Sequence, residues 1–171
     1  MNGYDIVRAV DSNSTLSKVF QGVFASDILP RHVNYPCAII ANTDRMVDPG
    51  SHWVGFYITQ DGCGEYFDSY GLPPLDANFT GFLERNCSSW SYSPHCLQHL
   101  ESKVCGHYSL MYLVSRAEGV PACSFFSTFT HDSERNDCEV LDQFKNVFGC
   151  RGKTCVDMQA PGVQRCRARA S

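Results

Sequence analysis

Cys105 heads an apolar run, is followed by Gly106, and has Gln98 seven residues upstream. Earlier in the chain His52-Trp53 lies on a strand-like segment and Asp68 on the next. In that order the chain holds the parts of a thiol protease: a base, an orienting carboxylate, an oxyanion donor and a nucleophile. A cysteine attacks as its thiolate, so its pKa must be lowered. The first turn of a helix does this through unpaired N–H groups and the helix dipole. A neighbouring imidazolium does more, giving a Cys⁻/His⁺ pair. His52 is the candidate base, with Asp68 accepting its other ring N–H and fixing the tautomer. The oxyanion formed during attack needs preorganised donors. The backbone N–H of Cys105 and the side-chain amide of Gln98 would serve if residues 98–105 fold back beside the helix start. Gly106 would remove bulk where a substrate backbone approaches. Taken singly these residue types are common. His95, His99, His107 and His131 are alternative bases, Gln98 reads equally as a surface amide, and Cys105 as a small core residue.

The elements that must position these groups follow from hydrophobic spacing. Leu16, Val19, Phe20, Val23 and Phe24 predict a helix over 15–24, capped by Ser14 or Thr15. Cys37 to Ala41 is uniformly apolar and reads as a buried strand; Asn42 to Gly50 is a loop. Residues 52–70 read as a β-hairpin turning at 60–64, with His52, Val54, Phe56 and Ile58 on one face and Trp53, Gly55 and Tyr57 on the other. Asp68 then falls opposite His52 or diagonal to it. A short helix over 78–86 and a strand within 91–97 follow. Cys105 to Ala117 is apolar on most sides and stops at Gly119, as a central buried helix would. Residues 139–148 read as a last amphipathic helix.

The 171 residues suit one domain with a sizeable core, and 43% hydrophobic with 19% charged is ordinary globular composition. The N-terminus lacks the layout of a signal peptide. No apolar run approaches the roughly 18 residues needed to span a bilayer. The expectation is an intracellular protein with no membrane contact. The ten cysteines are read as reduced thiols, one of them reactive, over a disulfide scaffold. The cluster His95, Cys96, His99, Cys105 and His107 raises zinc, but no CxxC pair occurs, and no metal is expected. Residues 1–150 carry 9 Lys and Arg against 17 Asp and Glu, whereas residues 151–171 carry 5 basic residues against Asp157 alone. The body offers no broad nucleic-acid surface, and the tail holds the only basic cluster. The domain reading is therefore a catalytic body over 1–150 and a flexible, basic, Cys-containing tail over 151–171.

The ordered motifs resemble the adenovirus endopeptidase (adenain) family of cysteine proteases and its relatives in transposons and large DNA viruses, from about Gly22 to Phe148. Cys37-Ala38-Ile39-Ile40-Ala41-Asn42-Thr43 is similar to the strand before the catalytic loop. Pro49 to Phe56 resembles the His-Trp motif, Glu65 to Gly71 the strand ending in the catalytic acid, and Gln98 through Cys105-Gly106 the oxyanion Gln and nucleophile. Asn136-Asp137 resembles a late family segment. The resemblance implies an α+β papain-like fold, with a central mixed sheet packed against a buried helix that starts at the catalytic Cys. It implies His52, Asp68, Gln98 and Cys105 as catalytic residues, and Trp53 and Gly106 as substrate-binding ones. The function implied is a cysteine endopeptidase processing viral or transposon-encoded capsid precursors in the host nucleus or virion. Protein substrates are its partners, and no cofactor is required for the chemistry. Asp68 departs from the adenovirus Glu toward the proteases of ubiquitin-like modifiers, which are the alternative. The tail from Gly162-Val163-Gln164 to Ser171 resembles the activating peptide of the adenovirus enzymes. It would act in cis, pairing with a sheet edge and bonding Cys166 to a body cysteine such as Cys96. Its arginines would equally hold DNA, or it is a solvated end.

Overall fold

The computed structural model describes residues 1–149; the basic tail and Cys166 lie outside them. The chain runs α1 (Gly3–Ser12), β1 (Phe20–Ala25), β2 (Cys37–Asn42), β3 (Trp53–Ile58), β4 (Cys63–Phe67), α2 (Ala77–Asn86), β5 (Ser89–Tyr92), α3 (Cys105–Ala117), α4 (Ala122–Phe126) and α5 (Ser133–Phe148). The five strands form one mixed sheet in sequence order. β1/β2 and β4/β5 are parallel, while β2/β3 and β3/β4 are antiparallel. This is the expected α+β arrangement, a mixed sheet against a buried helix that starts at Cys105.

Alternation along the central strands divides the interior into two layers. Ala38, Ile40, Tyr57 and Phe67 meet α3 through Tyr108, Leu110 and Leu113, with α1, α4 and α5 behind. Ile39, Val54, Phe56, Ile58 and Tyr66 face Phe79, Phe82 and Leu83 of α2. β2 is covered on both faces, which is why its sequence is apolar from Cys37 to Ala41. Helix α3 buries every residue from Cys105 to Val114. Arg116 near its end bonds both carboxylate oxygens of Glu65 on β4, and the Tyr112 hydroxyl donates to the same group at 2.7 Å.

Three expectations fail in whole or in part, the first being the strand within 91–97, which lies at Ser89–Tyr92 where it pairs with β4. Residues 15–24 do not form a helix: a single 3-10 turn spans Leu16–Lys18 and the chain then enters β1. Gly22 disfavours a helix, and pairing with buried β2 satisfies the backbone from Phe20 onward. The N-terminal residues instead form α1, closed by a reciprocal capping box between Asn2 and Asp5 and burying Ile6, Ala9 and Val10. The last helix also begins earlier than residue 139, at Ser133, capped by Asp132.

Candidate active site

The hairpin fixes base and acid. Continuing the Gly55↔Phe67 register sets His52 opposite Tyr70 and Asp68 diagonal to it. Nε2–H of His52 donates to Asp68 Oδ1 at 2.9 Å. The backbone N–H of Tyr70 donates to the same oxygen at 2.8 Å. Asp68 opens a tight turn closed by the Gly71 N–H on its carbonyl. Gly71 has φ +71°, and a Cβ there would lie 2.6 Å from the Pro94 carbonyl oxygen, so this turn requires glycine. Asp68 is buried and His52 largely so.

Helix α3 brings the nucleophile. Val104 at its N-cap makes no side-chain capping bond, and the Ser109 hydroxyl donates to the Trp53 carbonyl, tying the helix start to β3. His52 and Cys105 lie near enough for each to shift the other's ionisation. Asp68 takes Nε2, so Nδ1 serves the sulfur. Burial disfavours the His52 cation, but the hydrogen bonds and charges of Asp68 and Cys105 outweigh it and push the pKa up to about 9. Burial likewise raises the Cys105 thiol. The hydrogen bond and charge of His52, with backbone bonds from Trp53 and Gly106, reverse this and leave the pKa below its ordinary value. Both shifts run in the direction that favours a thiolate and an imidazolium.

The other histidines lie elsewhere. His95 stacks on Phe126 and His131 is exposed. His99 approaches Glu134 at 4.0 Å. His107 packs against Phe144, where burial holds its pKa down at about 4. Among the described residues no His, Cys, Asp and Glu side chains are grouped to hold a metal ion. Cys37, Cys63, Cys87, Cys96, Cys105 and Cys123 are free thiols, while Cys138 is disulfide-bonded, against the expectation of reduced thiols.

Gln98 is fully buried beside this site. Its Oε1 accepts from the Ser69 hydroxyl at 2.7 Å, which fixes the orientation of the amide. Nε2 donates to the Tyr70 hydroxyl at 3.1 Å and to the Ser102 carbonyl at 2.9 Å. Residues 97–102 are anchored from α5. Asn136 donates to the Leu97 carbonyl, and Asp137 accepts from Tyr108 and from the His99 N–H. Trp53 is half-buried, with its indole N–H on the Met1 carbonyl at 3.1 Å. A Cβ at Gly106 would lie 3.0 Å from Met1 Sδ and 3.3 Å from Trp53 Cδ1. The space at Gly106 is therefore taken by Met1 and Trp53, and not left open for a substrate backbone as expected. A cavity of about 610 Å³ opens beside Trp53, with Phe24, Arg45, Met46 and Asp48 among its walls.

The sequence reading missed Tyr70, Ser69, Ser102 and Met1. Tyr70 alone had a local signal, since counting the hairpin register places it across from His52.

No protein-family model matches the chain. It is 30% identical over 127 residues to a cysteine protease of African swine fever virus, an alignment covering 66% of this chain and 46% of the relative. The counterpart from another isolate, described as a SUMO-1 cysteine protease, is 30% identical over 131 residues, 68% of this chain and 48% of the relative. A candidate thiol protease of Acanthamoeba polyphaga mimivirus is 28% identical over 121 residues, 65% and 39% of the two chains. The crystal structure of the African swine fever virus protease superposes with a TM-score of 0.46 at 27% identity, covering 63% of this chain and 45% of that one. The chain spans about half the length of the curated African swine fever virus relatives it matches. Its relatives are thus viral cysteine proteases.

Proposed function

We propose that this chain is a cysteine endopeptidase with His52, Asp68, Gln98 and Cys105 as its catalytic residues. The observation that carries the reading is His52 bonded to Asp68 at 2.9 Å and lying near Cys105, its pKa raised to about 9 while that of the thiol is lowered. The Cys105 thiolate attacks the scissile carbonyl carbon, and the carbonyl oxygen becomes an anion met by the Cys105 N–H and by the Gln98 amide, which gives up its bond to the Ser102 carbonyl to do so. His52 gives its proton to the leaving amine, and a thioester remains on Cys105. His52 then takes a proton from water, which attacks the thioester and frees the sulfur. Side chains and backbone suffice for this chemistry. Trp53, next to the base in the chain, favours small residues, Gly above all, next to the cut.

The substrates we propose are viral or transposon-encoded capsid precursors, met inside the cell, in the nucleus or the virion. The relatives from two large DNA viruses support this. A second reading, cleavage of ubiquitin-like modifier precursors, is favoured by the description of one relative as a SUMO-1 cysteine protease. A peptidyl vinyl sulfone ending in Gly-Gly should label wild-type protein on Cys105, located by mass spectrometry, and should not label Cys105→Ala. Unchanged labelling or turnover in Cys105→Ala would sink the assignment. Side-by-side digestion of capsid and modifier precursors separates the two readings.

A further inference from the structure

Tyr70 touches three of the four groups placed in the reaction above. Its backbone N–H holds Asp68 Oδ1 at 2.8 Å. Its ring stacks on the His52 imidazole with centroids 4.9 Å apart and planes 28° from parallel. Its hydroxyl accepts from Gln98 Nε2 at 3.1 Å and reaches the Leu100 carbonyl only at 3.5 Å. Both hydrogens of the Gln98 amide are engaged in the resting site, one by Tyr70 and one by the Ser102 carbonyl, and Ser69 prevents the amide from flipping; donation to an oxyanion therefore requires the Ser102 bond to be given up while Tyr70 and Ser69 hold the amide in place. The direction of the donor is therefore shared among Ser69, Ser102 and the Tyr70 hydroxyl, and of these only Tyr70 also touches His52. The position of that hydroxyl is set in turn by the hairpin that carries His52 and Asp68.

We propose that Tyr70 is a positioning residue that aligns the oxyanion donor Gln98 with the base His52. The inference rests on the protease reading. One rigid side chain spans from the face of the imidazole to the carboxamide, so the proton donor and the oxyanion donor keep a fixed separation. An aromatic face against an imidazolium also favours the charged ring. The titratable groups facing His52 are Asp68, Cys105 and Tyr70; those facing Tyr70 include Cys105, Asp137, Asp68 and Cys96. Burial, then the charge of Cys105, raises the Tyr70 pKa, which keeps its hydroxyl neutral.

Two variants separate the two contacts. Tyr70→Phe keeps the ring and removes the hydroxyl. It should lower kcat about three- to tenfold, the worth of one hydrogen bond, with KM unchanged. In a Gln98→Ala background the same change should cost nothing further, because the group it positions is gone. Tyr70→Leu removes the ring as well. It should move the midpoint of iodoacetamide alkylation of Cys105 upward by about half to one pH unit, since the imidazolium that supports the thiolate is weakened; Tyr70→Phe should leave that midpoint in place. Wild-type kcat in Tyr70→Phe, an equal loss with and without Gln98, or an unmoved midpoint in Tyr70→Leu would each overturn the proposal. Alkylation needs no peptide cleavage, and the Gln98 contact is read independently by its side-chain amide NMR signals, which should shift in Tyr70→Phe and would refute the contact by staying put. A wild-type protein that alkylates at low pH yet cleaves no peptide refutes the protease reading, while these two measurements still decide the role of Tyr70.

Discussion

Asp68→Asn isolates the charge behind His52. Asp68 Oδ1 accepts from both His52 Nε2 and the Tyr70 N–H. An Asn oxygen in that place retains both bonds, so the turn survives and only the negative charge is lost. A hydrogen bond to a charged group contributes about 1.5–3 kcal/mol against about 1 for a neutral one. The difference, at 1.36 kcal/mol per pH unit, lowers the His52 pKa by up to about one and a half units. The raised His52 pKa means the imidazolium is intact below about pH 9 and is lost as pH rises through that value. Cys105 has the opposite sign, since its lowered pKa keeps the thiolate down to the shifted value and loses it below. A weaker imidazolium moves the first limit down and the second up, narrowing the window from both sides. The assay is kcat/KM on a Gly-Gly peptide from about pH 5 to about pH 10, which reports the free-enzyme groups. Wild type should lose activity near pH 9 and Asp68→Asn between about pH 7.5 and 8.5, with a modest loss at the optimum. An alkaline limb that stays near 9 in the variant would refute the argument that Asp68 sustains the cation.

Gln98→Ala should lower kcat roughly ten- to a thousandfold with little change in KM, because the amide donates to charge formed only in the transition state; a pure KM effect would make it a substrate-binding residue. In Gly106→Ala the new methyl meets Met1 Sδ at 3.0 Å and Trp53 Cδ1 at 3.3 Å. Steady-state kinetics should therefore show KM rising severalfold as Trp53 shifts, and thermal unfolding a loss of about 1 kcal/mol. Glu65→Gln leaves Arg116 with a largely buried, unpaired charge, and urea unfolding should register about 3 kcal/mol of destabilisation with the pH profile of Cys105 alkylation unchanged.

The parts of the site that could be read from the sequence are those set by local geometry. Helix α3 spans Cys105–Ala117 as its all-round apolarity and the following Gly119 required. His52 and Asp68 meet because a hairpin register can be counted outward from its turn, and the same count would have found Tyr70. The helix assigned to residues 15–24 failed because a period of apolar residues does not reveal that β2 offers an edge to pair with. The helix α1 was passed over although Asn2 and Asp5 carry its capping signal. The partners of Gln98, which are Ser69, Tyr70 and Ser102, and the anchors Asn136 and Asp137 are joined only after β4, α3 and α5 have packed. The same division governs how the site assembles. The His52–Asp68 pair spans 16 residues within one hairpin, whereas Cys105 reaches His52 only when α3 docks on the sheet, with Leu113 3.6 Å from where a Cβ of Gly55 would stand. Changes that loosen this docking, such as a larger side chain at Gly55, separate the thiolate from its imidazolium while the hairpin still holds base and acid together. Thiol reactivity at low pH is therefore the first property such a change removes.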